Sequence, residues 1–425
     1  TEAPTEEPTE APTEEPTEAP TEEPTEAPAE EAEPAVAALS EEAADEVIAE
    51  EPVEEPAETA AEEPAEEPAE EPAEEPAEEP AETAAEEPAE AVIEPVEQPY
   101  AGTTLTVYNW YDYIDEAVID MFEEETGINV EYVNFTTNEE MYAKLEATPG
   151  AYDVLFPSDY IIERLIKEDM LAELNYDNMP NAAGLMEWLK SPDYDEGGKY
   201  SVAYMWGTVG YLYNTTMVDR ELTSWDDMFS TEFEGNVLMM DSVRDTLGVA
   251  LKSLGYSMNS DDIGALEAAK DLLIKQKTDG IVKAYQVDET KDKMIAGEAT
   301  MGVMWSGDAQ FAISQNPDLA YVIPKEGSNV WVDCMVIPKD AKNKTNAEKF
   351  LDFLCRPDIA KLNCEAIGYS SPNTGAIELL GDDYMSNLVM NPADSDIANC
   401  DTIHYLSEPL LVIYNALWAD VKNAK

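Results

Sequence analysis

Apolar and polar positions follow two distinct rhythms along the chain from about residue 103 onward. Short runs rich in branched and aromatic residues predict strands at 105–110, 128–133, 152–158, 236–241, 299–305 and 329–338. Apolar residues spaced three or four positions apart predict helices at 114–127, 138–147, 160–170, 245–255, 263–277 and 346–357. Gly127 is suited to end the first helix and Asn138 to cap the second. The alternation predicts an α/β fold with a mainly parallel sheet and two lobes.

The predicted strand NVWVDCMVIP (329–338) carries a carboxylate among residues suited to burial. Because successive side chains of a strand point to opposite faces, Trp331 and Asp333 project from the same face. A buried carboxylate is costly unless a hydrogen-bonding or cationic partner meets it. The pattern therefore predicts a cation next to Asp333.

Four predicted strands end in an aromatic residue combined with a small polar or acidic one. These ends are NWYDY (109–113), PSDY (157–160), MWSGD (304–308) and VWVD (330–333). Ligands of open α/β sheets bind beyond the carboxyl ends of the strands. Aromatic faces attract organic cations, and carboxylates accept hydrogen bonds from ammonium groups. The recurring ends therefore predict a pocket for an aliphatic amine.

Residues 1–100 differ in composition, since they hold 38 of the 94 acidic residues of the chain and none of its 23 basic ones. TEAPTEEP repeats along the first part of this segment, and AEEP repeats further on. Regular proline prevents helix propagation, and dense like charge opposes collapse. We predict a disordered acidic linker over 1–102. Because the chain opens inside a repeat, we interpret it as part of something longer.

The composition argues against several classes of function. After residue 100, 56 acidic residues stand against 23 basic ones, which disfavours nucleic acid and anionic membrane surfaces as partners. The chain has no HExxH, GxSxG or phosphate-loop motif and only one histidine. Cysteines 334, 355, 364 and 400 lack CxxC spacing, so we expect no metal site and no cofactor, and the sequence assigns no disulfide. Carboxylates with aromatic neighbours also occur in glycoside hydrolases, which stay an alternative.

Several segments of the chain resemble, in the same order, the spermidine/putrescine-binding proteins of polyamine ABC transporters. They are NWYDYIDEAVIDMFEEETGINVEY, TNEEMYAKL, YDVLFPSDYIIERLIKEDM, YMWGTVGYLYN, TSWDDMF, VIPKEGSNVWVDCMVIPKDAKNKTNAEKFLDFLCRPDIAK and IGYSSPN. The resemblance covers about residues 103–425 and implies a two-lobed periplasmic-binding-protein-like fold of type II. One lobe would comprise 103–208 and about 333–362, and the other 209–332 and about 363–425. Strands crossing between the lobes would include 204–210 and the end of VWVD.

The resemblance also implies a set of ligand-binding residues. They are Trp110, Tyr113, Ser158, Tyr160, Asp245, Trp305, Trp331, Asp333 and Tyr369. In the family, the position of Asp333 holds an amine group of the ligand, and the position of Asp245 is usually glutamate. His404 lies near a position that is glutamine in spermidine binders.

Other positions depart from the pattern of the family. Ser242 stands where spermidine-preferring members carry an acid, although Asp241 is adjacent. Asp308 matches an acid of putrescine-preferring members. Tyr111 replaces a threonine or serine, and we expect it to shorten the pocket. These departures favour a polyamine site with putrescine somewhat ahead of spermidine.

The implied protein is the solute-binding component of a polyamine importer and not an enzyme. It would be periplasmic or tethered to the outer face of the cytoplasmic membrane. Its partners would be putrescine or spermidine and the membrane permease of an ABC transporter, with the linker leading either to a fused permease or to a lipid anchor. Binders of Fe³⁺ or thiamine are alternatives within the same fold. A further alternative is a surface protein whose acidic linker carries the function.

Overall fold

The computed structural model describes residues 100–425, so the acidic linker predicted over 1–102 lies almost entirely outside the described residues. Nine strands in the described part form one mixed sheet. They are β1 (Thr104–Trp110), β2 (Asn129–Phe135), β3 (Val154–Leu155), β4 (Ser201–Asn214), β5 (Val237–Met240), β6 (Val282–Gln286), β7 (Met301–Trp305), β8 (Leu319–Val322) and β9 (Val330–Val336). Their order is β2-β1-β3-β9-β4-β7-β5-β6, and β8 pairs with β4.

The direction of the strands changes at the centre of the sheet. The outer pairs β1–β2, β1–β3, β5–β6 and β5–β7 are parallel. The pairs β3–β9, β9–β4, β4–β7 and β4–β8 are antiparallel. The predicted parallel arrangement therefore holds for the outer strands only, because every antiparallel pair involves β4 or β9.

Strand β4 belongs to both ends of the sheet and is buried along all 14 residues. Its first part, 201–208, pairs with β9, and its second part, 209–213, pairs with β7. It contains the segment 204–210, which the resemblance identifies as a crossing between lobes. The lobe boundaries themselves stay a prediction.

Helices follow the strands in the described part of the chain. They are α1 (Glu116–Thr126), α2 (Asn138–Ala147), α3 (Asp159–Lys167), α4 (Val243–Ser253), α5 (Ile263–Thr278), α6 (Glu289–Ile295), α7 (Ser306–Gln315), α8 (Lys344–Leu354), α9 (Pro357–Ile367), α10 (Thr374–Leu380), α11 (Asp382–Met385), α12 (Asp394–Ile397) and α13 (Glu408–Asn423). Short 3-10 turns lie at Tyr176–Asn178, Pro180–Gly184, Glu187–Leu189, Trp225–Phe229 and Thr231–Phe233. Within residues 100–425, no helix combines the length and the apolar character that a membrane span needs.

The helix caps test two of the sequence predictions. Gly127 ends α1 with a φ of 71°, as predicted. The prediction that Asn138 caps α2 is wrong by one residue, because the Thr137 hydroxyl accepts the hydrogen bond from the Glu140 N–H at 3.1 Å. The side chain of Asn138 is therefore available for other contacts. The third predicted strand is also shorter than expected, with only two paired residues in β3.

Apolar packing holds the two parts of the sheet in place. Trp225 and Tyr414, both fully buried, belong to a cluster around β5, α4, α5 and α13. Phe122 and Phe350 pack at 4.9 Å between ring centres in a cluster around β1, α1 and α8. Burial of a large apolar side chain stabilises a fold by about 1.5–3 kcal/mol. These clusters therefore fix the strand ends from which the predicted site residues project.

Gly207 of β4 leaves room for the indole of Trp331. A Cβ atom at residue 207 would lie 2.5 Å from Trp331 Cζ2 and 2.8 Å from the Ser306 hydroxyl oxygen. Atoms do not approach this closely, so any larger residue must displace a neighbour. The glycine therefore determines where the Trp331 side chain lies.

We expect Gly207→Ala to displace the Trp331 indole and to lower the free energy of unfolding by about 1–3 kcal/mol. Denaturant titration followed by tryptophan fluorescence measures both effects. Gly184→Ala is the matched control, because its new Cβ would meet no atom closer than 3.6 Å. A Gly207→Ala protein that matches this control in both measurements would contradict the packing argument.

Candidate ligand-binding site

A cavity of about 730 Å³ opens where the strands with the predicted aromatic and acidic ends meet. We call it the ligand cavity. The predicted residues that line it are Trp110, Tyr111, Tyr113, Ser158, Tyr160, Ser242, Asp245, Trp305, Trp331, Asp333 and Tyr369. The structure therefore brings most of the residues predicted from the sequence into one place.

Asp333 lies in this cavity with 8% of its surface exposed. One carboxylate oxygen accepts a hydrogen bond from the Ser158 hydroxyl at 2.6 Å, and the other accepts one from the Tyr113 hydroxyl at 2.6 Å. Burial raises the pKa of Asp333 to about 6, although these two hydrogen bonds act in the opposite direction. No basic side chain in residues 100–425 forms an ion pair with it, so the cation expected from the sequence is not a residue of the described chain.

The two donors of Asp333 are themselves held in position. The backbone carbonyl of Tyr113 accepts hydrogen bonds from Asn109 Nδ2 at 3.2 Å and from the Tyr204 hydroxyl at 2.9 Å. The Tyr113 hydroxyl is buried, which raises its pKa well above the usual value, and the neighbouring Asp333 adds to this effect. Tyr113 therefore stays protonated and donates to Asp333.

Asn138, which the sequence suggested only as a helix cap, positions the other donor. Its Nδ2 donates to the Ser158 hydroxyl at 3.0 Å and to the Tyr160 hydroxyl at 3.1 Å. Its Oδ1 accepts from the Ser158 backbone N–H at 3.2 Å. Tyr160 in turn donates to Glu139 at 3.1 Å. Because an asparagine at a helix start usually caps the helix, the sequence held no signal for this role.

Asp159 is a second buried carboxyl group that sequence reasoning missed, although it lies inside the PSDY segment. It is 2% exposed and lines the ligand cavity. Its oxygens accept from the Tyr160 N–H at 2.7 Å and from the Val332 N–H at 3.3 Å. Burial raises its pKa well above the usual value, and the charge of Asp333 acts in the same direction. Asp159 is therefore suited to hold the backbone of β9 beside α3.

Aromatic rings form the walls of the cavity. Trp331 and Tyr369 meet edge to face, with ring centres 4.9 Å apart. Trp110 packs on Phe135 at 4.5 Å and donates its indole N–H to the Phe156 carbonyl at 2.8 Å. Trp305 ends β7 and lies on the same cavity. Such rings suit methylene groups and organic cations.

Asp245 provides a further carboxylate on this cavity. It is 7% exposed and lies in the first turn of α4. Its oxygens accept from the Ser242 hydroxyl at 2.7 Å and from Asn329 Nδ2 at 3.3 Å. Like Asp333, it has only neutral hydrogen-bond donors among the described residues.

Two predicted acids lie elsewhere and pair with lysines. Asp308 is 2.9 Å from Lys291 Nζ and is not part of the cavity lining. Asp241 is 2.7 Å from Lys422 Nζ and points away from the lining as well. The expectation that either acid contributes a free charge to the site therefore needs correction.

The cavity lining also includes two arginines that the sequence gave no reason to expect there. Arg164 pairs with Glu168 at 3.0 Å and lies 3.7 Å above the ring of Tyr142. Arg244 donates to the His404 carbonyl at 2.9 Å and to Asn259 at 3.1 Å. Other acids on the lining are Glu139, Asp288 and Glu408. Arg164 is thus paired with an acid, whereas Arg244 has only neutral hydrogen-bond acceptors and its buried Nε has no acceptor among the described residues.

His404 does not line the ligand cavity, although its neighbours Ile403 and Tyr405 do. Its Nδ1 lies 3.1 Å from Glu163, and its Nε2 lies 3.3 Å from Asp193. Hydrogen bonds to Asp193 and Glu163 raise the pKa of His404 to about 10. Burial opposes the ionisation of Glu163, but bonds from His404 and Lys167 outweigh it and lower the pKa of Glu163 to about 2.

The raised pKa of His404 leads to a prediction about stability. The ordinary pKa is about 6.5, so the pairing contributes fully below that pH and is lost as the pH rises through about 10. We expect the difference in Tm between the wild type and His404→Gln to shrink steadily from pH 6 to pH 10. Thermal unfolding followed by circular dichroism measures it. A difference that is constant over this range would contradict the paired imidazolium.

Comparison with known proteins identifies the family of this chain. The bacterial extracellular solute-binding proteins match the chain over residues 117–391. The spermidine/putrescine-binding periplasmic protein of Escherichia coli strain K12 is 36% identical over 298 residues, which cover 70% of this chain and 85% of that protein. The spermidine/putrescine-binding periplasmic protein 1 of Haemophilus influenzae is 31% identical over 331 residues, which cover 76% and 90%.

A solved structure is similar to this chain as well. The substrate-binding protein PotD of a spermidine/putrescine ABC transporter from Streptococcus pneumoniae, crystallised with calcium and HEPES, matches with a TM-score of 0.70. It is 37% identical and covers 76% of this chain and 99% of its own. The predicted fold class is thereby confirmed, and the chain belongs to the family of bacterial extracellular solute-binding proteins.

Proposed function

We propose that the chain binds a linear polyamine, putrescine or spermidine, in the ligand cavity and delivers it to the permease of an ABC importer. One observation carries this proposal. Asp333 and Asp245 are buried carboxylates on a single aromatic-walled cavity, and each receives hydrogen bonds from neutral groups only. A ligand with ammonium groups joined by methylenes complements both features.

The electrostatics of Asp333 favour a cationic ligand. A buried carboxylate without a counter-charge takes up a proton more readily, which is why the pKa of Asp333 lies near 6. An ammonium group supplies the missing positive charge and donates hydrogen bonds to lone pairs that Ser158 and Tyr113 leave open. The relatives named above are spermidine/putrescine-binding proteins, which supports the same class of ligand here.

The other candidate functions find less support. An Fe³⁺ site would need clustered tyrosine or histidine ligands and would leave no reason for Trp110, Trp305 and Trp331 on the same cavity. The relatives are binding proteins and give no support to a glycoside hydrolase, so we propose no catalytic role. Thiamine is a cation too, but the buried carboxylates Asp333 and Asp245 complement a chain with an ammonium group at each end better.

The choice between putrescine and spermidine rests on fewer features than the sequence suggested. The preference for putrescine rested on Ser242, Asp308 and Tyr111. The charge of Asp308 is paired with Lys291, and that of Asp241, the neighbour of Ser242, is paired with Lys422. Ser242 and Tyr111 both line the ligand cavity, so the preference for putrescine stays a prediction.

Capture and release require the cavity to open and close. Strands β4 and β9 pair with each other over 201–208, and β4 continues into the pairs with β7 and β8. We place the hinge in these two strands, with lobes of 103–208 and about 333–362 on one side and 209–332 and about 363–425 on the other. The closed form, outside the cytoplasm, would be the form that the permease recognises.

Isothermal titration calorimetry with putrescine and spermidine tests the proposed function. We expect a dissociation constant in the micromolar range or below for at least one of them. Cadaverine and a neutral diol of the same length serve as comparison ligands. Absence of binding to every polyamine would refute the proposal.

Asp333→Asn is expected to weaken polyamine binding on the order of a thousandfold. Loss of the charged partner of a buried ammonium costs about 3–5 kcal/mol, and each 1.4 kcal/mol corresponds to a factor of ten. Asp308→Asn is the control, because its carboxylate pairs with Lys291 outside the cavity lining, and we expect less than about a threefold change. Equal effects of the two substitutions would rule out the special role of Asp333.

The affinity is also expected to depend on pH. Since the pKa of Asp333 is about 6, the group loses its charge below that pH and no longer attracts an ammonium. We expect the affinity to fall by up to about tenfold for each pH unit below 6 and to be level above pH 7. Titrations at pH 5, 6, 7 and 8 check this. The Asp333→Asn protein should show a flatter profile, and a wild type with constant affinity down to pH 5 would disagree with the assignment.

A further inference from the structure

Asn329 lines the ligand cavity next to the start of β9 and is 4% exposed. Its backbone is fixed, because the Asn329 carbonyl accepts from the Val209 N–H at 2.9 Å. Because side chains two residues apart along a strand share a face, Asn329 lies on the same face as Trp331 and Asp333. No sequence motif singled it out.

The orientation of its amide follows from its neighbour. The Asn329 amide nitrogen lies 3.3 Å from a carboxylate oxygen of Asp245. Only the NH₂ group can donate to a carboxylate, so the carbonyl oxygen must lie on the other side of the amide. That Asn329 Oδ1 atom is buried and has no donor among the described residues.

A buried carbonyl oxygen without a donor is uncommon in folded proteins. Here it belongs to a residue that both lines the ligand cavity and holds Asp245, one of the buried carboxylates of that cavity. The other oxygen of Asp245 is held by the Ser242 hydroxyl at 2.7 Å, so this acid has a defined orientation. An N–H or O–H donor would satisfy this oxygen, and the adjacent Asp245 carboxylate favours an N–H donor that carries positive charge.

We propose that Asn329 is a ligand-contacting residue of a second ammonium site, in which Asp245 supplies the charge and Asn329 Oδ1 accepts an N–H of the same ammonium. Asp333 binds the first ammonium, and the ring of Trp331 covers the methylenes between them. This inference rests on the proposed polyamine function. It assigns to Asn329 the discrimination between amines with two charges and amines with one.

The test compares putrescine with 1-aminobutane, which has the same carbon chain and a single ammonium group. Both affinities are measured by calorimetry in competition with spermidine. The ratio of the putrescine affinity to the 1-aminobutane affinity then reports the second ammonium site alone. We expect Asn329→Leu to weaken putrescine binding at least tenfold and to change 1-aminobutane binding by less than about twofold, because a hydrogen bond to a charged group is lost at one end only. Asn329→Ala gives the same test without the added bulk of leucine.

Asn346→Leu is the matched control. Asn346 is also buried, at 5% exposure, and donates to the Thr103 hydroxyl at 2.8 Å away from the cavity lining. This substitution should leave the affinity ratio unchanged. In an Asp245→Asn background, Asn329→Leu should weaken putrescine binding by less than a further factor of about two, because the second ammonium site is already lost.

The outcomes separate this inference from the proposed function. A wild type that binds no polyamine refutes the function itself. If the wild type binds putrescine, and the folded Asn329→Leu and Asn329→Ala proteins keep the wild-type ratio of putrescine to 1-aminobutane affinity, only the role of Asn329 is overturned. Equal loss for putrescine and 1-aminobutane would also overturn it, since that result indicates a general distortion of the cavity.

Discussion

A carboxylate buried among neutral hydrogen-bond donors is the constraint on which the rest of the site depends. Asp333 accepts hydrogen bonds from the hydroxyl groups of Tyr113 and Ser158, each at 2.6 Å. These donors follow β1 and β3, so one side chain in the middle of β9 joins the ends of two other strands. Because the donors are already oriented toward a negative group, little has to rearrange when a cation arrives.

The same strand connects the site to the centre of the sheet. β9 lies between β3 and β4, and its antiparallel pairing with β4 over 201–208 continues into the other half of the sheet. Trp331 lies against Gly207 in that pairing, where no larger side chain fits. A ligand that contacts Trp331 and Asp333 therefore contacts the strand pair about which the lobes are proposed to turn. Under the proposed function, binding and closure would therefore involve the same few residues.

Local sequence patterns predicted much of this arrangement. The periodicity placed β1, α1 and β2 within two residues of their observed bounds, and the aromatic and acidic strand ends converge on one cavity. The patterns did not reveal which acids form ion pairs with lysines. Asp308 is paired with a lysine 17 residues away and Asp241 with one 181 residues away, and such pairs depend on the tertiary fold. For the same reason the sequence pattern gave Asn138 only a capping role and gave Asn329 none, because the contacts of an asparagine depend on the partners that the fold brings to it.

The charges of the lining explain how a cavity with two arginines can still attract cations. Arg164 is paired with Glu168, and Arg244 is held by the His404 carbonyl and by Asn259. The charge of Arg164 is compensated by Glu168, whereas that of Arg244 acts electrostatically on Asp245 and Asp159 without a close ion pair. Asp333 forms no ion pair with a basic side chain of residues 100–425, and the folded part as a whole has an excess of acidic residues. Under the proposed function, the acidic field of the folded part would draw a cation toward the ligand cavity, and Asp333 and Asp245 would determine where its ammonium groups bind.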